Sequence, residues 1–169
     1  LVWAKGVGGT SNDSNVALQI DSSGNSYVTG TFRDTADFDP DAGTANLTSA
    51  GSYDTFIAKY DSSGALVWAK GVGGTGTDIG NAIQVDSSGN SYVTGYFSGT
   101  ADFDPGAGTT NLTSAGGSDT FIAKYDSTGA LVWAKGIGGT SSDIAASMQI
   151  DSSGNSYVTG YFSGTADFD

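Results

Sequence analysis

The ten residues DSSGNSYVTG occupy Asp21–Gly30 and recur without change at Asp86–Gly95 and Asp151–Gly160. LVWAKG repeats with the same period, because its copies begin 65 residues apart, at Leu1, Leu66 and Leu131. A fixed period of this length is typical of solenoids, propellers and other repeat arrays. Three copies would need 195 residues, so the 169-residue chain stops 26 residues short. We therefore predict repeat 1 at 1–65, repeat 2 at 66–130 and a truncated repeat 3 at 131–169.

The composition favours strands joined by tight turns. All 18 acidic residues are Asp, and the chain contains 27 Gly. Asp and Gly suit turns, whereas Glu, a good helix former, is absent. The net charge of −12 repels phosphate backbones and anionic membranes, so we expect no nucleic-acid partner. No run of about 18 apolar residues is present, so we also expect no membrane span.

The chain has neither His nor Cys. It therefore lacks the commonest general base, the commonest transition-metal ligand and any thiolate or disulfide chemistry. Sets of Ser/His/Asp or Cys/His for nucleophilic catalysis cannot exist. We predict that the protein is not an enzyme and has no cofactor, with Ca²⁺ as the one ion left open.

One period contains the signals of four antiparallel strands. In the second copy, NAIQV (Asn81–Val85) and SYVTGYF (Ser91–Phe97) are β-prone and flank the turn DSSGN. A second hairpin joins TFIAKYD (Thr120–Asp126) to ALVWAKGIG (Ala130–Gly138), with Phe121, Ala123 and Tyr125 on one face. Between the hairpins, ADFD and TNLTSA flank PGAG, which predicts a small third hairpin with its turn at Pro105–Gly108.

These patterns predict an all-β fold of tandem 65-residue, four-stranded antiparallel blades in a β-propeller-like arrangement. The expected extents are two complete blades, at Val16–Val72 and Asn81–Ile137, and an inner hairpin at Ala146–Phe162. Leu1–Gly6 would be an outer strand of a further blade. So few blades form an incomplete ring, and an open stack or filament is an alternative arrangement. A β-helix is the main rival, although its rungs are usually much shorter.

The stretches DIGNAIQVDSSGNSYVTGYFSGTADF (78–103) and DTFIAKYDSTGALVWAKGIGG (119–139) resemble the β-propeller repeat family known as SBBP repeats. Its most specific part is the run Asp-x-x-Gly-Asn-x-Tyr-Val-x-Gly. The resemblance implies a propeller fold and an extracellular or cell-surface location in an exported, multi-repeat bacterial protein. It implies no shared activity.

Four sets of residues are candidates for sites. In DFDPDAG, alternating carboxylates in a turn could converge on Ca²⁺, a hard cation that takes oxygen ligands, although a plain hairpin turn explains them too. The alternating oxygens of Asp21, Ser23 and Asn25 have the same two explanations. For the Asp before each first strand we predict a structural role, binding loop N–H groups and fixing how blades join. For the recurring Trp and Tyr we predict core packing, with sugar stacking as the alternative. The weak calcium candidates are Asp37, Asp39, Asp41, Asp102 and Asp104; the strand-leading aspartates are Asp13, Asp78 and Asp143; the aromatic residues are Trp3, Trp68, Trp133, Tyr27, Tyr92 and Tyr157.

The functional prediction is a non-catalytic structural or scaffold module of an exported bacterial surface or filament-forming protein. Its expected partners are further copies of the same repeat, in the same chain or by self-association. The alternative is an adhesin module that binds glycans or matrix through loops repeated on one face. An enzyme is the least favoured class, because near-identical copies do not supply unlike groups that converge.

Overall fold

The computed structural model describes residues 3–168, and this part of the chain is built of β-strands and turns without a helix. The prediction of an all-β fold is therefore confirmed. In chain order the strands are β1 (Gly8–Gly9), β2 (Ser14–Ile20), β3 (Ser26–Phe32), β4 (Thr35–Asp37), β5 (Asn46–Thr48), β6 (Asp54–Tyr60), β7 (Leu66–Gly74), β8 (Ile79–Val85), β9 (Ser91–Asp102), β10 (Asn111–Tyr125), β11 (Leu131–Gly139), β12 (Ile144–Ile150), β13 (Ser156–Tyr161) and β14 (Ala166–Asp167).

The long strands form two four-stranded antiparallel blades and one further hairpin. Blade 1 has the strand order β2-β3-β6-β7, blade 2 has the order β8-β9-β10-β11, and β12 pairs with β13 as the inner half of blade 3. The inner strands β2, β8 and β12 lie beside one another. This arrangement confirms the prediction of propeller-like blades in an incomplete ring.

The DSSGN turn of each inner hairpin is organised by its Asp. In blade 1 the Asp21 carboxylate accepts the backbone N–H groups of Ser23 and Asn25, both at 2.9 Å. The Asn25 amide donates to the other carboxylate oxygen at 2.8 Å. Gly24 has a φ of 81°, in the left-handed region that Gly enters at little cost. The predicted turn is thus confirmed, because the Asp21 carboxylate accepts backbone and side-chain donors from its own turn.

The predicted third hairpin is also present. In blade 2 it is fused to the central strands, because Asn111–Thr113 at the start of β10 pairs with Thr100–Asp102 at the end of β9. The Tyr125 hydroxyl donates to the Phe103 carbonyl at 3.2 Å and holds the hairpin against the blade. The Phe103 ring lies between those of Phe97 and Phe121, with centroids 5.6 and 4.8 Å away.

The outer strand predicted at Leu1–Gly6 is not formed over Trp3–Gly6, because no strand among the described residues pairs with this segment. Leu1 and Val2 lie outside the described residues. Only the short β1 that follows is paired, with β4. A strand without a hydrogen-bonded neighbour has no ladder to stabilise it, which explains the difference.

The last Gly of DSSGNSYVTG is required by its own hairpin. Gly30 leaves room for strands of its own blade rather than for the next blade. A Cβ at Gly30 would lie 1.9 Å from the Ser14 carbonyl oxygen, within the same blade. The cause is a β-bulge between Asn15 and Ala17, which pushes the backbone of β2 towards β3. Gly95 faces the equivalent bulge in blade 2, where a Cβ would lie 1.8 Å from the Ile79 carbonyl oxygen.

The largest hydrophobic core spans a blade junction. Tyr27, Ile57 and Val72 of blade 1 pack with Ile83 and Val93 of blade 2 in one cluster. The face prediction for β10 is confirmed, because Phe121, Ala123 and Tyr125 are all buried there. The blades therefore stabilise one another through apolar burial as well as through hydrogen bonds.

We predict that Gly95→Ala destabilises the protein by about 1–3 kcal/mol or more, since backbone atoms cannot yield as a flexible side chain would. The free energy of urea unfolding measures the effect. Gly6→Ala is the matched control, because a Cβ there meets nothing within 4 Å. Equal stability of the two variants would contradict the bulge explanation.

Candidate functional site

The predicted junction aspartates bind backbone N–H groups from two blades. Asp78, which precedes β8, accepts the N–H of Gly74 from the outer strand of blade 1 at 2.7 Å. Its second oxygen accepts the N–H of Ser98 in blade 2 at 3.2 Å. Asp13 binds Gly9 and Arg33 in the same way, and Asp143 binds Gly139 and Ser163. The prediction that these three residues bind loop N–H groups is therefore confirmed, and Asp78 and Asp143 do so between two blades.

At the same end of the junction, each outer strand continues into the next blade. Gly73 and Gly74 of β7 pair with Asp102 and Ala101 of β9. The backbones approach so closely that a Cβ at Gly74 would lie 2.0 Å from the Thr100 carbonyl oxygen. The GGT loop is thus a short interblade ladder, and its Gly residues permit the contact.

The opposite end of the junction is held by aromatic side chains. The Trp68 indole donates to the Ser127 carbonyl of blade 2 at 3.1 Å and lies over Gly129. The Tyr27 hydroxyl donates to the Gly89 carbonyl at 3.4 Å, and its ring meets Trp68 edge-on with centroids 6.2 Å apart.

The packing role predicted for the aromatic residues holds where a neighbouring blade is present. Tyr92 and Trp133 repeat the edge-on contact at 6.3 Å, and the Trp3 indole donates to the Ser62 carbonyl at 3.2 Å. Tyr27 and Tyr92 are buried, whereas Tyr157 is exposed. The rings that the sequence offered for sugar stacking therefore mainly join blades.

Four of the five weak calcium candidates, all except Asp41, act as acceptors inside their own turn. Asp37 accepts the N–H groups of Asp39 and Ala45 at 3.0 and 2.8 Å. Both bonds lower the pKa of Asp37, and the bond from Ala45 has the larger effect. Asp39 accepts the N–H of Asp41, whose carboxylate is paired with Lys5.

The second copy of this turn repeats the arrangement. Asp102 accepts the N–H groups of Asp104 and Thr110, and Asp104 accepts that of Gly106. Within residues 3–168 no three acidic side chains are grouped so as to hold a metal ion.

The repeated DSSGN turns line a polar cleft between neighbouring blades. The cleft, of about 430 Å³, lies between Asp21–Asn25 of blade 1 and Asp86–Gly89 of blade 2, with Lys59 and Ser127 on its walls. The Lys59 ammonium sits 4.9 Å from the centre of the buried Tyr27 ring. Hydroxyl, amide, carboxylate and ammonium groups thus share one surface that can form hydrogen bonds.

Sequence reasoning missed Asp54 and Asp119, the first residues of DTFIAKY. Both are buried, and each carboxylate accepts one backbone N–H, from Ala50 at 2.8 Å and from Ala115 at 2.9 Å. Burial raises the pKa of Asp54 to about 6. Burial also raises the pKa of Asp78 to about 6, and the negative charge of Asp54 contributes to this rise. Their recurrence at 65-residue spacing was the signal that could have identified them.

Comparison with known proteins agrees with this architecture. The family model described as the β-propeller repeat, SBBP, matches residues 67–103, which run from β7 to the end of the inner hairpin of blade 2. The resemblance inferred from the sequence is thus confirmed.

Two curated relatives are similar to the chain. An uncharacterised WD repeat-containing protein of Acanthamoeba polyphaga mimivirus is 28% identical over 192 aligned residues, which cover 97% of this chain and 14% of that protein. The regulatory protein FlaEY of Caulobacter vibrioides is 33% identical over 110 residues, 65% of this chain and 12% of that protein. The chain therefore spans about an eighth of the length of these relatives.

No helix within the described residues is long and apolar enough to cross a membrane.

We predict that Asp78→Ala destabilises the protein by about 1–3 kcal/mol, because two N–H groups at a buried position lose their acceptor. Urea unfolding at pH 5 measures this loss with little contribution from charge repulsion at Asp54. Asp13→Ala removes the same two bonds where the carboxylate is only half-buried, so its loss is expected to be smaller. The junction role would be contradicted if Asp78→Ala left stability unchanged.

Proposed function

We propose that this chain, in which residues 67–103 match the β-propeller repeat family SBBP, is a non-catalytic scaffold module of an exported bacterial surface or filament-forming protein. The observation that carries this proposal is the recurrence of the junction contacts. The carboxylate bond to the outer-strand Gly has the same 2.7 Å length at Asp13, Asp78 and Asp143. Within residues 3–168, both junctions between blades therefore use the same carboxylate contact, as an extendable array requires.

The exposed side chains of blade 3 support further copies of the repeat as the partner. Tyr92, Phe97 and Phe103 are 1% exposed in blade 2, whereas their equivalents Tyr157, Phe162 and Phe168 are 58–65% exposed. The same sequence is thus buried where the next strands of the repeat lie against it. A cleft of about 500 Å³, lined by Ile122, Val158 and Phe162 among others, marks this face.

Near-identical copies also support the non-catalytic part of the proposal. Catalysis needs unlike groups that converge on one reacting centre, whereas most aspartates of each repeat accept N–H groups of their own turn or of the adjacent blade. The exported location depends on the family resemblance.

We expect the chain to self-associate as its concentration rises, because apolar surface of this kind is rarely left uncovered. Sedimentation velocity from low to high micromolar concentration measures the association. Replacing Phe162 and Phe168 by Ser is expected to restore the monomer, whereas the control, which replaces the exposed Val67 and Val132 by Ser, should associate like the parent. A monodisperse monomer at all concentrations would contradict the self-association arm of the proposal.

A second candidate is a glycan-binding adhesin module, which the polar cleft between the DSSGN turns favours. Because Tyr27 is buried, recognition there would depend on hydrogen bonds from Lys59 and the turn residues rather than on ring stacking. If this candidate is correct, the parent chain binds glycans on an array, and Lys59→Ala abolishes that binding. The control is Lys135→Ala, an exposed position outside the cleft, which should bind the same glycans as the parent. An array without hits, or equal loss in both variants, would reject it.

A further inference from the structure

Two buried carboxylates face each other across the junction between blades 1 and 2. Asp54, at the start of β6, is 4% exposed, and Asp78, which leads into β8, is 1% exposed. Gly73 of β7 lies between them. A Cβ on Gly73 would be 2.8 Å from Asp54 Oδ1 and 2.9 Å from Asp78 Oδ2, so both oxygens point towards the same small space.

The hydrogen bonds leave one oxygen of this pair without a partner. Both oxygens of Asp78 accept backbone N–H groups, and Asp54 Oδ2 accepts that of Ala50. Asp54 Oδ1 has no hydrogen-bond partner among residues 3–168. A buried carboxylate oxygen without a donor is costly, and a neighbouring carboxylate makes it more so.

The same arrangement occurs between blades 2 and 3. Asp119 Oδ2 accepts the N–H of Ala115, while Asp119 Oδ1 has no partner in the described part of the chain. A Cβ on Gly138 would lie 2.7 Å from that oxygen. The Asp143 charge adds to burial in raising the pKa of Asp119. Recurrence in both junctions identifies the pair as a feature of the repeat.

The charged groups around Asp54 do not neutralise the pair. Lys70 of β7 and the carboxylates Asp102 and Asp104 of the next hairpin line the same cleft as Asp54. Arg33 lies over the ring of Tyr53, which precedes Asp54. None of the ion pairs within residues 3–168 includes Asp54 or Asp78.

We propose that each junction holds one proton between its two carboxyl groups, so that mild acid stabilises the contact between blades. The proton is bound to Asp54 Oδ1 in the junction between blades 1 and 2, and to Asp119 Oδ1 in the junction between blades 2 and 3. The proton converts the oxygen without a partner into a donor, and the carboxylate of Asp78 or Asp143 is the acceptor beside it. One negative charge per junction is thereby removed from a buried position.

The direction of the pH effect follows from the sign of the shift. A carboxyl whose pKa is higher in the folded than in the unfolded state stabilises the fold fully below the unfolded value, near 3.8. It loses that contribution as the pH rises through the folded value, about 6 for Asp54. The blades are therefore expected to be more stable at pH 5 than at pH 8.

Below pH 4 the turn aspartates reverse this trend. The Ser63 hydroxyl, followed by the N–H groups of Ala65 and Ser63, lowers the pKa of Asp61. The Thr128 hydroxyl and the N–H groups of Thr128 and Ala130 do the same for Asp126. These carboxylates contribute stability above the unfolded pKa and lose it as the pH falls, so stability is expected to peak between about pH 4 and 6.

The test is the thermal midpoint of unfolding as a function of pH, with variants in which Asn imitates the protonated acid. For the parent chain we expect a midpoint several degrees higher at pH 5 than at pH 8. The double variant Asp54→Asn, Asp119→Asn is expected to lose most of this difference. Its thermal midpoint at pH 8 should equal that of the parent at pH 5. The control, Asp34→Asn with Asp41→Asn, removes the same charge from exposed positions and should keep the parent's pH dependence.

A second measurement does not require a folded variant. Carboxyl-carbon NMR of the parent should place the titration of Asp54 at least one pH unit above that of the turn residue Asp61, whose pKa is lowered by hydrogen bonds within its own turn. A thermal midpoint that is flat between pH 8 and 5, or an Asp54 that titrates together with Asp61, would overturn the proposal. So would a rise in the midpoint with millimolar Ca²⁺ at pH 8 that Asp54→Asn abolishes, because the pair would then hold a cation rather than a proton.

Discussion

The structure depends on a carboxylate that accepts hydrogen bonds from the backbones of two blades. Asp78 binds Gly74 of blade 1 and Ser98 of blade 2, in a position that water hardly reaches. Backbone N–H groups at a sheet edge must find acceptors when they are buried. A short side chain with two acceptor oxygens satisfies two of them at once, and it fixes where one blade ends and the next begins. The absence of Glu, whose longer side chain would place its oxygens elsewhere, agrees with this geometry.

The other features of the repeat are arranged around this contact. Gly73 and Gly74 carry the outer strand into the next blade, where no side chain would fit. Trp68 holds the opposite end of the junction, so that each blade is tied at both ends. Asp54 adds a second carboxylate beside the first, which costs stability at neutral pH and makes the junction sensitive to acid. A repeat of this kind can extend without new contacts, which is the property expected of a scaffold.

Much of this architecture was predictable from the sequence because it depends on residues that are close together in the chain. The DSSGN turn, the strands on either side of it and the small hairpin around PGAG follow from turn chemistry and alternation. The junction role of Asp78 was predictable from its recurrence after a Gly-rich loop. The burial of Asp54 and the bulge opposite Gly30 were not, because both depend on how two strands meet in space. The outer strand expected at Leu1–Gly6 is not formed over Trp3–Gly6 and shows the same limit, since a strand needs a neighbour as well as a suitable sequence.

Amide hydrogen exchange, followed residue by residue in the intact chain, tests the central claim most directly. If Asp78 and Asp143 bind the blades together, the N–H groups of Gly74 and Gly139 exchange as slowly as amides in the middle of β9 and β10. They should also remain slow when the exposed turn amide of Ser87 has exchanged completely. Exchange of Gly74 and Gly139 at the rate of Ser87 would mean that the blades are joined by something other than these carboxylates.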